Sequence, residues 1–285
     1  MNAPIFQHLR LRAGTWMMWL LFTSLFGSPV LFSQESAALP DTQPLTMQGD
    51  LSAQMVEGID RFLMREIERS VAERQKLWQR DFASRDAYEK SVQPNRDRFR
   101  RYLGAVDPRV PMTALGFVSS TTVPAKIAET DKYSVFAVRW PVFDGVYGEG
   151  LLLQPKDEPV ARVVAIPDAD QTPEMLAGLA PGLSADAQFA RRLAEHGCLV
   201  MVPVLIDRQD TWSGNPDLPR FTNQPHREWI YRQAYQMGRH IIGYEVQKVL
   251  AAVDWFQLEQ TQNPASKIQN PKIAVAGYAE GGLIA

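Results

Sequence analysis

The feature that most constrains the fold of this chain is a glycine-rich run near its residue 280, Gly-Tyr-Ala-Glu-Gly-Gly at 277–282. An apolar segment at 272–276 precedes it directly and predicts a short buried strand. Gly277 and Gly281 lie two residues before and two residues after Ala279, where the absence of a Cβ lets the backbone approach itself closely. The pattern therefore predicts a tight strand-turn-helix bend with Ala279 at its apex.

The same spacing is that of a nucleophile elbow, in which a glycine lies two residues to either side of the reactive side chain. Here Ala279 holds the nucleophile position, with Gly277, Gly281 and Gly282 around it, so the hydroxyl that would react is absent. A register shifted by one residue would make Glu280 the nucleophile, but it would place a tyrosine at a crowded position. An ordinary strand that ends in a glycine-rich turn is the further alternative.

Composition excludes some classes of protein. The chain has 285 residues, 45% of them hydrophobic and 22% charged, which is typical of a globular protein that buries a core. Its formal net charge of -2 gives no electrostatic reason to expect nucleic-acid binding. Cys198 is the only cysteine, so the chain can form no internal disulfide, and its position at the start of a strand predicts a core residue. We expect neither a cofactor nor a bound metal.

The first residues predict export. Basic residues before position 13 precede an uncharged apolar stretch from Thr15 to Phe32, which is the layout of a signal peptide. We expect a signal peptide at 1–33, a flexible linker at 34–49, and a periplasmic or extracellular protein without stable membrane insertion after cleavage. An uncleaved membrane anchor is the alternative, although Pro29 disfavours a continuous helix there.

The region after the linker has helical periodicity. Residues 50–114 predict a helical extension, because apolar side chains recur at helical spacing over 59–78. Ser84 is a good N-cap for a second helix that ends near Gly104 and is kinked or divided by Pro94.

Residues 115–285 alternate between strands and helices. The predicted order is a hairpin with strands at 133–141 and 146–154, a strand at 162–167, a helix at 185–196, a strand at 198–206, a helix at 226–260 and a strand at 272–276. This order is that of the first part of an α/β-hydrolase, truncated after the strand that carries the bend. A different doubly wound α/β fold is the alternative.

Particular stretches resemble the acetyl xylan esterase-like, or dienelactone-hydrolase-like, branch of the α/β-hydrolases. They are Gly238 to Gln247 with Val253 to Phe256, which resemble the long helix before the elbow, and Trp78 to Asp81 with Ser84 and Asn95-Arg96, which resemble the N-terminal extension. The resemblance covers about residues 75–285 and implies hydrolysis of acyl esters by a Ser-Asp-His triad. It also implies a small acyl ester or an acylated carbohydrate as substrate.

The resemblance places an oxyanion hole around the bend. One donor would be the backbone N–H of Glu280, and the other would come from the loop after the third strand, near Asp168 and Ala169. Because Ala279 replaces the serine and no segment matching the Asp and His of the triad follows in this sequence, we expect an inactive esterase homologue. The alternatives are a non-catalytic ligand- or partner-binding protein and a peptidase-type hydrolase.

Two further patterns leave alternatives open. Carboxylates are expected at the carboxyl ends of the strands, and they would either bind a hard cation or cap helices and pair with Arg208 and Arg227; they are Asp168, Asp170, Asp207, Asp210 and Glu280. Trp212, in a polar loop, is a candidate for lining a carbohydrate subsite.

Overall fold

A computed structural model describes residues 40–211, 224–262 and 272–285. The predicted signal peptide at 1–33, residues 34–39 of the predicted linker, and Trp212 lie outside the described residues. The chain divides between Glu68 and Arg69 into two compact units, and the second one contains the sheet. None of the described helices has the length and apolar character needed to cross a membrane.

The described residues contain seven helices and seven strands. The helices are α1 (Leu51–Gln75), α2 (Arg85–Tyr102), α3 (Pro173–Ala177), α4 (Phe189–Glu195), α5 (His226–Gln236), α6 (Ile241–Gln262) and α7 (Glu280–Ile284). The strands are β1 (Gly116–Phe117), β2 (Lys126–Glu129), β3 (Tyr133–Phe143), β4 (Val146–Pro155), β5 (Ala161–Ile166), β6 (Cys198–Pro203) and β7 (Lys272–Gly277).

The strands form one mixed sheet in the order β1-β3-β4-β6-β5-β7, with β2 also paired to β3. Strands β3 and β4 are the predicted hairpin, joined by a tight turn in which Gly145 has a φ of +71°. β4 runs antiparallel to β6, whereas β5 runs parallel to both β6 and β7. An antiparallel edge followed by parallel strands, with a sharp turn after the fifth strand counted from β3, is the α/β-hydrolase fold, as the sequence predicted.

Side chains at alternate positions of the central strands belong to two separate buried clusters. Val164 and Met201 face one side, where they pack with Phe256 of α6. Val163 and Val200 face the other side, in a cluster that also includes α3 and α4 side chains. Because side chains alternate across a strand, helices on both faces explain why β5 and β6 are apolar at successive positions.

The structure corrects three details of the sequence prediction. The helix expected over 226–260 is two helices, because α5 ends at Gln236 and Gly238 adopts a φ of +67° before α6 begins. α2 is capped by the Ser84 side chain as predicted, but it continues without a break through Pro94. β7 is not buried on both faces: its residues are exposed or half-buried, since β5 is its only partner among the described strands.

Candidate active site at the β7–α7 turn

The turn between β7 and α7 has strained backbone geometry at its apex. Ala279 has φ +49° and ψ −116°, and it is one of two described residues other than glycine with a positive φ. An alanine in such a sparsely populated region costs about 1 to 3 kcal/mol, because its Cβ crowds the backbone. The side chain of Ala279 is exposed. The backbone therefore turns sharply at position 279, which lies exposed just after the end of β7.

Glycines make this reversal sterically possible. A Cβ on Gly277 would overlap the carbonyl group of Gly281, and one on Gly281 would overlap the carbonyl oxygens of Ile166 and Pro167 at the end of β5. A Cβ on Gly282 would lie 3.3 Å from the Gly277 oxygen, which is tight but possible with a small shift. The first and fifth residues of the G-x-A-x-G pattern, Gly277 and Gly281, must therefore be glycine for the turn to pack against β5.

The loop after β5 reaches this turn through Asp168. Its carboxylate oxygen Oδ1 accepts a hydrogen bond of 3.1 Å from the backbone N–H of Glu280. Burial alone would raise the pKa of Asp168, but the N–H groups of Glu280 and Ala169 and the guanidinium of Arg208 outweigh it, so this pKa lies below its ordinary value. Asp168, which was predicted to lie near Glu280, thus contacts it with its side chain against the N–H, while the N–H of the predicted neighbour Ala169 is directed at the same Asp168 carboxylate.

Two arginines converge on the carboxylate of Glu280. Arg227, near the start of α5, donates to Oε1 at 2.5 Å, and Arg208, in the loop after β6, donates to Oε2 at 3.2 Å. Arg208 also donates to Asp170 at 2.8 Å and lies 3.5 Å from Asp168. These carboxylates are accordingly paired with arginines or with backbone, as the arginine-pairing alternative predicted. Among the described residues no cluster of acidic, His or Cys side chains is placed to hold a metal ion.

A buried glutamate that the sequence analysis did not single out extends this charge network. Glu245 of α6 is fully buried, and its Oε1 accepts from the backbone N–H of Ile206 at 2.9 Å. Arg227 lies 3.6 Å from the same carboxylate, and Lys248 forms an ion pair of 2.5 Å with its other oxygen. Glu245 stands in a mostly apolar helical stretch, so an isolated acidic residue on the buried face was the available signal.

The two described histidines of this region have structural partners. The Nδ1 of His226 lies 2.6 Å from Asp207, and its Nε2 lies 3.4 Å from the Thr211 hydroxyl. His240 accepts the backbone N–H of Ile242 at the start of α6, and burial and Arg227 lower its pKa although Glu280 opposes this. The pairing of His226 with Asp207 was not foreseen, because 19 residues separate them in the sequence.

Cys198 behaves as the sequence predicted. It is buried in the core cluster between the sheet and α4, and burial raises the pKa of its thiol. It therefore has neither the exposure nor the thiolate character of a reactive cysteine.

Comparisons with known proteins show likenesses to solved structures only. No protein-family profile matches this sequence, and no curated protein does. A Bacteroides fragilis protein classed provisionally as an acetyl xylan esterase aligns with 72% of this chain and 51% of its own, at 19% identity and a TM-score of 0.46. A methylesterase aligns with 77% of this chain and 41% of its own, at 16% identity and a TM-score of 0.44.

A third structure, an acetyl xylan esterase from Paenibacillus sp. R4, aligns with 74% of this chain and 58% of its own, at 14% identity and a TM-score of 0.36. The chain thus spans about half the length of the solved structures that it resembles. At these scores the likenesses carry no functional assignment, and the α/β-hydrolase fold is defined here by the strand order and the turn.

Proposed function

We propose that this protein is an α/β-hydrolase of carboxylic-ester hydrolase type whose elbow position is occupied by Ala279 and which is inactive as an esterase. The observation that carries the proposal is the backbone of Ala279, with φ +49° and ψ −116° between a strand and a helix. An elbow holds its nucleophile on a strained strand-to-helix turn so that the side chain stands clear of the sheet. Ala279 has that placement and only a methyl group.

The loss of activity follows from the chemistry of acyl transfer. Without a nucleophile no acyl-enzyme forms, and removing the nucleophile of a serine hydrolase costs about 10⁶ in kcat. The shifted register does not restore one, because the Glu280 carboxylate is bound by Arg208 and Arg227 and is mostly shielded from solvent. We therefore expect no esterase turnover at this turn.

Substrate class and location are parts of the same proposal. The sequence resemblance supports a small acyl ester or an acylated carbohydrate as the ligand class of the lineage. The apolar stretch before Ser33 supports export, and we expect the secreted form to begin at Gln34. The intact mass of the protein recovered from the periplasm or medium tests this, and a mass that includes residues 1–33 would contradict it.

The experiment for the activity uses the purified protein with p-nitrophenyl acetate, beside a boiled sample. The expected rate equals that of the boiled control, and reproducible turnover above it would overturn the assignment of inactivity. The placement of position 279 is tested separately by Ala279→Cys. Iodoacetamide should alkylate Cys introduced there and leave the buried Cys198 unmodified, as read by peptide mass spectrometry. An unreactive thiol at 279 would contradict the elbow.

A further inference from the structure

The backbone N–H of Glu280 already has an acceptor within the protein. The Asp168 carboxylate oxygen Oδ1 lies 3.1 Å from this nitrogen, a normal hydrogen-bond distance. In an α/β-hydrolase the N–H of the residue after the nucleophile is one of the donors that stabilise the oxyanion of the tetrahedral intermediate. Asp168 thus supplies a negatively charged oxygen to the group that would otherwise receive one from the substrate.

Other contacts fix the Asp168 side chain in this position. The Arg208 guanidinium lies 3.5 Å from both of its oxygens and is itself anchored by Asp170 and Glu280. The Asp168 backbone N–H donates to the Gln171 side chain at 3.2 Å, so a hydrogen bond within the loop after β5 restrains Asp168. The carboxylate is therefore fixed from several directions.

We propose that Asp168 occupies the oxyanion position of the β7–α7 turn and blocks acyl transfer there independently of the missing nucleophile. This inference rests on the proposed function, since it concerns the same turn. A substrate oxyanion would have to displace the carboxylate from the Glu280 N–H and would meet like charge beside it. Restoring a nucleophile at position 279 is accordingly not sufficient for efficient acylation.

Two reactions of a thiol at position 279 distinguish a blocked oxyanion position from poor access of reagents to the thiol. With p-nitrophenyl acetate, the Ala279→Cys thiolate attacks the acetyl carbonyl carbon, the C–S bond forms and the carbonyl electron pair moves to oxygen. When this electron pair re-forms the carbonyl, the C–O bond to p-nitrophenolate breaks and a thioester remains. With iodoacetamide, the thiolate displaces iodide from carbon and no oxyanion forms. The ratio of the acylation rate to the alkylation rate therefore reports on the oxyanion position.

The measurement compares this ratio, at residue 279 by peptide mass spectrometry, between Ala279→Cys and variants that also carry a change at position 168. Asp168→Ala frees the Glu280 N–H, and we expect the ratio to rise by at least about tenfold, since one oxyanion donor is worth about 10² to 10³ in kcat. Asp168→Ser, whose hydroxyl is one bond shorter than the carboxylate, should raise it too. It replaces the alanine variant if that one does not fold.

Two matched controls define the cause. Asp168→Asn keeps an oxygen that can accept from the Glu280 N–H but removes the negative charge, so its ratio should lie between those of Ala279→Cys alone and of the variant that also carries Asp168→Ala. Asp170→Ala removes a carboxylate from the same Arg208 but not from the Glu280 N–H, and its ratio should change less than twofold.

The outcomes distinguish the two proposals. If the thiol at 279 is alkylated but the folded Asp168→Ala and Asp168→Ser variants leave the ratio unchanged, the block by Asp168 is wrong and the elbow stands. An equal rise in Asp170→Ala would also overturn it, because the effect would then be one of general charge. If the thiol is not alkylated at all, the proposed function itself fails.

Discussion

Replacing Ala279 by glycine should make the protein more stable. At φ +49° and ψ −116° the alanine Cβ costs about 1 to 3 kcal/mol, which glycine does not incur. Glycine also gives the unfolded chain more freedom, and this opposes the gain by about 0.4 to 1 kcal/mol. The difference between these two ranges predicts that Ala279→Gly stabilises the protein by at most about 2.6 kcal/mol, with a central value of about 1 kcal/mol.

The assay is equilibrium unfolding in urea, with the free energy of unfolding compared at constant m-value. The matched control is Ala114→Gly, because Ala114 is also exposed, lies outside the helices and strands, and has a negative φ. This control should be destabilised by about 0.4 to 1 kcal/mol through the unfolded chain. If Ala279→Gly destabilises the protein as much as the control does, the turn is not strained and the elbow argument loses its basis.

Three other predictions concern the same region. Gly281→Ala places a Cβ on the Ile166 carbonyl oxygen and should lower the urea midpoint by the equivalent of about 1 to 3 kcal/mol; a change no larger than that of Gly282→Ala would contradict the close approach. Ionised Asp168 has a depressed pKa, so it stabilises the fold above its unfolded pKa of about 3.9 and this is lost as pH falls through the lower folded value. The stability difference between wild type and Asp168→Asn should therefore be present at neutral pH and shrink in acid, and a constant difference in urea titrations would refute this. Ala274→Lys puts a charge at an exposed position of β7 and should reduce aggregation of the protein, as measured by light scattering. Unchanged scattering would show that the protein does not aggregate through this edge.

Local patterns in the sequence predicted the sheet well. The alternation of apolar side chains, the Asp-Gly turn of the hairpin and the glycines around Ala279 each depend on neighbouring residues, so they are visible without a structure. The break between α5 and α6 was missed because the apolar stripe continues across it, and only the positive φ of Gly238 marks it. The exposure of β7 was missed because its composition matches that of β5, whereas burial depends on what lies beside a strand.

The charge network could not be predicted to the same depth. It joins residues from five segments, and Asp168 and Arg208 precede Glu280 by 112 and 72 positions in the sequence. The sequence placed these carboxylates at one rim of the sheet and named arginines as partners for them. It could not indicate which oxygen would meet the Glu280 N–H, because that depends on the loop conformation after β5.

This network explains how a strained turn persists without a nucleophile. The strain at Ala279 amounts to about 1 to 3 kcal/mol, whereas a hydrogen bond to a charged group contributes about 1.5 to 3 kcal/mol. Glu280, the next residue, takes part in three of these, with Arg208, Arg227 and Asp168. The free energy that these contacts contribute together exceeds the strain energy at Ala279. The contacts around the bend are therefore sufficient to maintain it, without any catalytic function. The strained strand-to-helix turn in this chain is therefore a sign of its fold, and activity has to be judged from the side chain at position 279 and from the acceptor that faces the neighbouring N–H.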